Sequence, residues 1–376
     1  MKAVVIGAGG MGSAAARFLA KDGHQVTLLE RFTLDHDQGS SFGESRITRR
    51  TYPDVLYTQM MMKAYPLWDE LCAESGEDLF VRCGGVFFGK DGHATLFQVE
   101  EALKKVGVPF QRFWADEANQ RFPGLHLLPG EVAIFQKDSG FLRASSCVKA
   151  NARLAVKAGA QLKENVIVKG LKQDGSGVRV ETNQGDFAAD KVVLTPGSWL
   201  GDLLPALKLP LKVTRQQYVY LKLKSPADAK HYQAGAFPVW IYATPTPEYE
   251  VYGFPIDGRV DGVKLAEHTE GDPTHPDKVD RNMKPETVKT LQTFAAQRLP
   301  FLSDEVTYSK TCLYTNTPDH HFVIDEIPGL AGNVFMGGCS GHAFKFTILL
   351  GRIAADWVQG KPMQFDLSRF KYSRFK

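Results

Sequence analysis

The stretch that decides the fold runs from Lys2 to Glu30 and reads KAVVIGAGGMGSAAARFLAKDGHQVTLLE. Residues 2–6 are apolar on both faces, which is typical of a buried parallel strand. Residues 11–22 carry apolar side chains at helical spacing, and residues 25–30 read as a second strand. The stretch therefore predicts a strand–helix–strand unit, the opening of an α/β domain.

The turn at residues 7–12 matches the G-x-G-x-x-G pattern of dinucleotide-binding sites. Gly7 permits the tight turn, and Gly9 lets the backbone approach a pyrophosphate at the helix N-terminus. Gly12 allows helix and strand to pack closely, and Glu30 can accept hydrogen bonds from a ribose diol. The alternative is a strand–helix–strand unit with a plain glycine turn. The strand before the pattern and the acidic residue after it favour the dinucleotide site.

Along the rest of the chain, the pattern of predicted helices and strands changes twice. From about residue 211 to 311 it carries aromatic, β-rich runs that indicate an antiparallel sheet, and the tail returns to an α/β pattern. We therefore predict an α/β fold in which a mixed, mainly antiparallel β substrate domain (residues 86–144 and 211–311) is inserted into a discontinuous, Rossmann-like dinucleotide domain (residues 1–85, 145–210 and 312–376). The predicted helices are 55–74 (kinked or split at Pro66), 146–158, 286–298 and 343–358. The predicted strands include 84–89, 164–171, 177–182, 191–195, 218–221, 239–242, 249–254 and 333–336.

Composition excludes several classes of protein. Of the 376 residues, 43% are hydrophobic and the net charge is only +3, too small to argue for nucleic-acid binding. No apolar run is long enough to span a membrane, and the N-terminus lacks the pattern of a secretory signal. The five cysteines show no metal or disulfide spacing. We therefore expect a cytoplasmic protein without a metal site, a nucleic-acid partner or a membrane anchor.

Two later turns favour a flavin over a nicotinamide cofactor. Residues 192–199 form a strand that ends in small residues, and residues 337–342 form another glycine-rich turn between strand and helix. A long flavin needs backbone N–H groups far from the first turn, whereas a nicotinamide dehydrogenase rarely needs the last one. An NAD-dependent dehydrogenase stays open as an alternative, and a yellow protein would exclude it.

Three further segments complete a resemblance to a known family. They are GSSFGESRITR (39–49), CLYT (312–315, followed by 319–325) and SGHAFKF (340–346). Together with the glycine turn, and in this order, they resemble the monomeric sarcosine oxidase family of flavin amine oxidases, which includes N-methyltryptophan, pipecolate and fructosyl-amino-acid oxidases. The resemblance covers about residues 1–372. It implies a monomeric FAD enzyme whose partners are a small amino acid or amine and O₂. A secondary (N-methyl or cyclic) α-amino acid such as sarcosine would pass a hydride to flavin N5, the imine would hydrolyse, and O₂ would become H₂O₂.

The resemblance also implies roles for individual residues. FAD would be attached through its 8α-methyl to Cys312, and Arg46 would lie over the flavin. Arg49 and Lys345 would bind the substrate carboxylate, and Lys264 would lie near flavin N5 and promote the reaction with O₂. The other residues expected at the substrate cavity are Tyr252, His268 and Tyr314. The other expected cofactor contacts are Gly7, Gly9, Gly10, Met11, Gly12, Glu30, Arg31, Ser40, Ser45, Val168, Trp199, Gly341, His342, Ala343 and Phe344, with Arg46 and Lys345 counted among them as well.

The chain departs from the family pattern close to the expected cavity, which leaves the substrate side chain open. The departures are Ser41 and Phe42 where histidines are common, Glu44 for aspartate, Arg50 for histidine and Ala343 for glycine. Two further alternatives remain: a flavin dehydrogenase that passes electrons to a carrier, and a non-catalytic flavoprotein subunit. The presence of Arg49, Lys264, Cys312 and Lys345 argues against decay of the site.

Overall fold

The computed structural model describes residues 1–246 and 249–376. Its helices are α1 (Gly10–Lys21), α2 (Val55–Ser75), α3 (Ala94–Val106), α4 (Ala115–Arg121), α5 (Ala144–Lys157), α6 (Leu200–Leu203), α7 (Pro285–Arg298) and α8 (Thr347–Val358). Its strands are β1 (Lys2–Ile6), β2 (Gln25–Leu29), β3 (Arg46–Thr48), β4 (Phe80–Arg82), β5 (Gly85–Lys90), β6 (Gln111–Trp114), β7 (Glu131–Gln136), β8 (Gly140–Leu142), β9 (Gln161–Lys163), β10 (Val168–Asp174), β11 (Gly177–Thr182), β12 (Phe187–Ala189), β13 (Lys191–Leu194), β14 (Lys212–Leu223), β15 (Val239–Ala243), β16 (Glu250–Gly253), β17 (Val263–His268), β18 (Asp272–Pro273), β19 (Leu302–Asn316), β20 (Val323–Glu326) and β21 (Val334–Gly337).

The first large sheet contains the predicted strand–helix–strand unit. Its strand order is β20-β21-β13-β1-β2-β9, and all neighbours are parallel except the β20–β21 pair. Ile6 of β1 lies opposite Leu194 of β13 and Leu29 of β2. The carboxyl ends of these strands therefore meet at one edge, where doubly wound sheets bind their ligands.

Helix α1 packs on this sheet and is buried along almost its whole length. Small side chains allow the close approach, since a Cβ added at Gly351 of α8 would lie 2.5 Å from Ala14 Cβ. Phe18 and Leu19 fill the remaining space, and burial of such a side chain contributes roughly 1.5–3 kcal/mol to stability. The glycine turn in front of α1 is thus held on a rigid layer.

The second large sheet is mixed and mainly antiparallel. Its strand order is β18-β14-β17-β16-β15-β5-β7-β6, β19 pairs with β14, and only the β15–β5 pair is parallel. Two small sheets complete the fold, with orders β10-β11-β12 and β3-β8-β4. The predicted fold class, an α/β cofactor domain with a mainly antiparallel second domain, is confirmed.

The domain boundaries remain a proposal. The segments assigned to the substrate domain supply most of the second large sheet, but β19 runs on to Asn316 and so crosses the boundary proposed at residue 312. Cys312 therefore lies in a strand of the antiparallel sheet.

Three predicted elements differ from the structure. Helix α2 continues unbroken from Val55 to Ser75, so Pro66, which is exposed, does not split it. The strand predicted to begin at residue 164 begins at Val168, because Asn165 has a positive φ of 60° that no strand accommodates. The helix predicted from residue 343 starts with a 3₁₀ turn, Phe344–Phe346, before α8.

Candidate active site

A single long cavity extends from the glycine turn to the antiparallel sheet. Every residue that the sequence predicted for the cofactor or the substrate lines this cavity, apart from Gly12. Gly12 lies beneath the cavity, where a Cβ would be 1.8 Å from the Gly7 carbonyl oxygen, as its predicted packing role requires. The structure thus brings together residues that are up to 338 positions apart, from Gly7 to Lys345.

The glycine turn fits the phosphate-binding end of a dinucleotide. Gly7 has a φ of +92°, and a Cβ there would lie 2.4 Å from the Thr195 carbonyl oxygen. Glu30 is buried at the end of β2, and its carboxylate accepts the Ala8 N–H at 2.8 Å. Burial acts to raise the pKa of Glu30, but hydrogen bonds from His36 and from a backbone N–H lower it overall. The carboxylate therefore stays ionised beside the turn, as ribose binding requires.

Arg31, Val168 and Trp199 line the wall next to Glu30. The Arg31 guanidinium lies 5.2 Å from the Trp199 ring centroid. Both side chains bind Asp277, with Arg31 pairing at 3.0 Å and Trp199 Nε1 donating at 2.8 Å. Val168 is the first residue of β10. Asp277 thereby ties the cofactor end of the cavity to the segment between β18 and α7.

The loop of residues 39–46 crosses the middle of the cavity. Ser40 Oγ donates to the Leu313 carbonyl at 2.7 Å, and Ser41 Oγ accepts the Gly10 N–H at 3.0 Å. Arg46 donates to three carbonyls of its own loop, and its guanidinium lies 5.9 Å from the Phe344 ring. Arg46 is therefore a fixed cation on the cavity wall.

Cys312 faces the cavity from β19, where it pairs with Gln216 of β14. Burial raises the pKa of the Cys312 thiol. Four nearby cations oppose this effect and favour the thiolate: Arg46, Lys264, Arg281 and Lys310. Burial alone also raises the pKa of Cys339, a second thiol on the cavity wall, to about 12.

Lys264 is a buried lysine on β17. Its Nζ donates to the Ser45 carbonyl at 3.1 Å and lies 4.2 Å from the Tyr218 ring centroid. Burial, and secondarily the Arg46 cation, lower the pKa of Lys264 to about 7. The lysine can therefore exchange a proton near neutral pH.

Arg49 and Lys345 meet at Tyr52. The Arg49 guanidinium lies 4.5 Å from the Tyr52 ring centroid, and Lys345 Nζ donates to Tyr52 Oη at 3.0 Å and to the His342 carbonyl at 2.8 Å. Burial, and secondarily the Arg49 charge, hold the pKa of Lys345 well below its ordinary value. Two donors, one permanently charged, thus face one end of the cavity.

His268, Tyr314 and Gly341 close the same end. His268 Nδ1 lies 3.3 Å from Tyr314 Oη, and burial lowers the pKa of His268, which keeps the imidazole neutral. Gly341 has a φ of +75°, and a Cβ there would lie 2.3 Å from the Tyr314 ring. The C-terminal glycine turn therefore makes room for this tyrosine.

A row of directly paired residues crosses the antiparallel sheet, and three of its members, Tyr218, Ile241 and Tyr252, line the cavity. The register pairs Phe87 with Ile241, Ile241 with Tyr252, Tyr252 with Ala266, and Ala266 with Tyr218. Residues paired in this way project from the same face of a sheet. We call these five residues the cavity row.

Sequence reasoning missed Tyr52, Tyr218 and Glu250. Glu250 lies opposite His268 across the β16–β17 pair and lines the cavity. Strand pairing brings Tyr218 and Glu250 to the site, and Tyr52 reaches it from the loop between β3 and α2, so no local pattern signals them. The departures Ser41, Phe42 and Ala343 do line the cavity. Glu44 and Arg50 do not, because they pair with Arg259 and Asp138 at 3.1 Å each.

Comparison with known proteins now identifies the family. Residues 2–357 match the family model described as FAD dependent oxidoreductase. N-methyl-L-tryptophan oxidase from Salmonella dublin is 32% identical over 382 residues, which cover 99% of this chain and 98% of that enzyme. The enzyme of the same name from Escherichia coli O17:K52:H18 is 31% identical and covers 99% of both chains. The chain belongs to the FAD-dependent oxidoreductases.

This assignment answers two questions that the sequence left open. The cofactor of this oxidoreductase is FAD rather than NAD, and the protein is an enzyme rather than a non-catalytic subunit. The resemblance noted in the sequence is confirmed at the level of the family.

Within the described residues, no helix is long and apolar enough to cross a membrane, and no cluster of side chains has the composition of a metal site.

Solved structures show the same fold. NikD, an unusual amino acid oxidase essential for nikkomycin biosynthesis, is 27% identical, with a TM-score of 0.85 over 98% of this FAD-dependent oxidoreductase and 96% of NikD. L-proline dehydrogenase from P. horikoshii has the same TM-score at 24% identity, over 100% and 97% of the two chains. Because oxidases and a dehydrogenase share this architecture, the fold alone does not decide the electron acceptor.

Proposed function

We propose that the protein oxidises a secondary (N-methyl or cyclic) α-amino acid, such as sarcosine, with FAD and O₂. The observation that carries this proposal is the meeting of Arg49 and Lys345 at Tyr52, at the end of a cavity that begins at a dinucleotide-binding turn. The amino acid oxidases among the relatives support the same substrate class.

The residues present fit FAD. The turn at Gly7 to Gly12 tolerates no side chain at its closest points, and the ionised Glu30 stands beside it. When bound, FAD accepts a hydride equivalent from the carbon next to the amine nitrogen. We propose that Cys312 holds it covalently, because the thiol lies in the cavity among cations that favour its nucleophilic thiolate form.

Arg49 binds the substrate carboxylate in this scheme. Its planar guanidinium offers two parallel N–H donors, and stacking on the Tyr52 ring holds the group in place. Lys345, whose pKa is lowered well below its ordinary value, adds a further donor. The neutral His268 and the Tyr252 and Tyr314 rings exclude water from the amine, and desolvation favours the neutral amine that can release a hydride.

Lys264 supports O₂ as the acceptor. A cation beside the site of O₂ reduction stabilises the negative charge that develops there. The imine product hydrolyses in water, and O₂ leaves as H₂O₂. A flavin dehydrogenase that passes electrons to a carrier is the second candidate.

We further propose that the enzyme acts as a monomer in the cytoplasm, where five free cysteines stay reduced.

An anaerobic titration tests this function. The visible flavin band of the purified protein is followed while sarcosine, N-methyl aromatic amino acids, pipecolate, proline and a fructosyl amino acid are added in turn. We expect one of them to bleach the band rapidly, and air to restore it with release of H₂O₂. Bleaching that air does not reverse would favour the dehydrogenase. A yellow protein that none of them bleaches would contradict the substrate class.

A matched pair of variants locates the carboxylate site. In Arg49→Gln the substrate carboxylate loses its guanidinium partner. We therefore expect weaker substrate binding and slower bleaching of the flavin band, with a combined loss of roughly 10- to 100-fold. Arg50→Gln removes a cation one residue away that points at Asp138 instead, and we expect little change. Equal losses in both variants would contradict the role of Arg49.

A further inference from the structure

Glu250 is an acidic side chain at the substrate end of the cavity. It lies on β16 directly opposite His268 of β17, and both residues line the cavity. Residues paired in this way project from the same face of a sheet. Since His268 Nδ1 lies 3.3 Å from Tyr314 Oη, Glu250 belongs to the group of side chains that surrounds the proposed substrate site.

Glu250 differs from the other acids of the cavity wall because it lacks a partner within the protein. The other three acids each have a polar or charged partner within 3.5 Å, in the pairs Glu30–Ala8, Asp35–Lys149 and Asp202–His275. Across residues 1–246 and 249–376, the Glu250 carboxylate makes no hydrogen bond and no ion pair. The residue is half-buried, so a ligand in the cavity can reach its carboxylate.

The basic groups near Glu250 do little to balance its negative charge. Burial lowers the pKa of His268, and Glu250 is the strongest influence in the opposite direction. Burial and the Arg49 charge likewise hold the pKa of Lys345 well below its ordinary value, although Glu250 acts against them. Both groups are therefore driven toward their neutral forms, and Arg49 is the permanent cation at this end of the cavity.

A bound amino acid makes this imbalance larger. The form that can release a hydride has a negative carboxylate and a neutral amine, so it brings a further negative charge to this end of the cavity. With Arg49 engaged by that carboxylate, Glu250 is left without a positive charge to pair with. Charges that are taken out of water need a partner of opposite sign, and here the substrate itself can supply it.

We propose that Glu250 determines substrate specificity by pairing with a positively charged group on the substrate side chain. The inference rests on the proposed function and narrows its substrate class to secondary α-amino acids whose side chain ends in an ammonium or a guanidinium. A carboxylate accepts charge-assisted hydrogen bonds from either group. An acidic side chain in the same place would meet a like charge and bind weakly.

Anaerobic stopped-flow reduction of the flavin-loaded enzyme tests this proposal. The substrates are sarcosine, Nα-methyl-L-glutamate, Nα-methyl-L-lysine and Nα-methyl-L-norleucine, which has the carbon chain of the lysine derivative without its ammonium. The dependence of the bleaching rate on concentration gives an apparent dissociation constant and a limiting rate. We expect the lysine derivative to bind about 10- to 100-fold more tightly than the norleucine derivative, and the glutamate derivative to bind most weakly.

Variants at Glu250 locate this preference. Glu250→Gln keeps the size of the side chain and breaks no hydrogen bond or ion pair among the described residues, so we expect it to fold and to lose most of the preference for the lysine derivative. Its limiting rate should change little, because Glu250 acts on binding. Glu250→Lys should reverse the order and favour the glutamate derivative. Glu305→Gln is the control, since it removes the same charge from an exposed residue that pairs with Lys222, and we expect no change.

The outcomes separate this proposal from the proposed function. If no secondary amino acid bleaches the flavin, pipecolate and proline included, the proposed function fails and the role of Glu250 with it. If sarcosine or the norleucine derivative binds as tightly as the lysine derivative, the proposed function stands and the role of Glu250 is overturned. The same holds if Glu250→Gln binds all four substrates more tightly by an equal factor, because Glu250 would then be only a counter-ion of Arg49.

Discussion

Cys312 and Cys339 show how one residue type takes different character from its surroundings. Burial raises the pKa of both cavity-lining thiols, but only for Cys312 do Arg46, Lys264, Arg281 and Lys310 oppose that rise. A thiolate is the nucleophilic form, so Cys312 is the residue suited to attack a cofactor methyl group.

The first prediction follows from this contrast. In Cys312→Ala we expect the flavin to separate from acid-precipitated protein, because the proposed covalent attachment through Cys312 would be gone. Cys339→Ala should keep the flavin with the precipitate, as in the wild type. The absorbance of the supernatant measures both. Flavin retained by Cys312→Ala would show that another residue holds it.

Lys264 carries a stability cost that depends on pH. Its pKa of about 7 in the folded protein lies below the ordinary value of 10.5, so the folded state disfavours the ammonium. Stability is therefore reduced most below pH 7 and recovers as pH rises toward the ordinary pKa. In a Cys312→Ala background stripped of flavin, Lys264→Met should raise the free energy of unfolding at pH 7 by about 2–4 kcal/mol.

Urea unfolding at pH 7 and pH 10 checks this prediction. The gain from Lys264→Met should shrink at the higher pH, where the folded and unfolded lysines approach the same charge. Lys222→Met is the control, since Lys222 is exposed and paired with Glu305 at 2.9 Å. A gain that is equal at both pH values would contradict a buried, proton-exchanging Lys264.

At the scale of elements, helix α2 contains a proline that it tolerates. Pro66 lies within the 21 residues of the helix, is exposed, and cannot donate to the carbonyl of Met62 one turn earlier. Pro66→Ala restores that hydrogen bond but increases the conformational entropy of the unfolded chain. We expect a net stabilisation of about 1–2 kcal/mol in urea unfolding. Lys63→Ala, also exposed on α2, should change stability little, and a destabilised Pro66→Ala would show that the proline is needed.

The same scale shows what the sequence could predict. The pattern of residues 2–30 gave the first strand–helix–strand unit, because helix and strand periods and glycine turns are local signals. The prediction that Pro66 would split the helix was wrong, because packing of the buried face of α2 outweighs the loss of one hydrogen bond. Asn165 shortened a strand through a backbone angle that its side chain tolerates. The sequence did not predict Tyr218 and Glu250 as site residues, because the pairing of β14, β16 and β17 determines which face of the sheet they occupy.

At the scale of the whole molecule, Arg281 braces the loop that crosses the cavity. Its guanidinium donates to the carbonyls of Asp37, Gln38 and Thr311 at 3.1 to 3.4 Å. Lys310 adds an ion pair with Asp37 at 3.1 Å and lies 3.8 Å from the Phe42 ring centroid. The cofactor side and the antiparallel sheet are thus held together over the cavity.

Limited proteolysis tests the brace. In Arg281→Met we expect faster cleavage within residues 35–42, because several charge-assisted hydrogen bonds are lost at once. Lys212→Met, which removes a surface pair with Glu270 at the far end of β14, should leave cleavage unchanged. Unaltered cleavage in Arg281→Met would show that the loop is held by other contacts.

The cavity row has a consequence for how such an enzyme diversifies. Its five side chains come from five strands whose backbones pair with each other and not with the cofactor turn. A mutation at Ile241 or Tyr252 can therefore reshape the room for a substrate while the ladder of backbone hydrogen bonds keeps its register. Mutations in single strands can therefore change substrate specificity, while the cofactor turn and the redox chemistry stay unchanged.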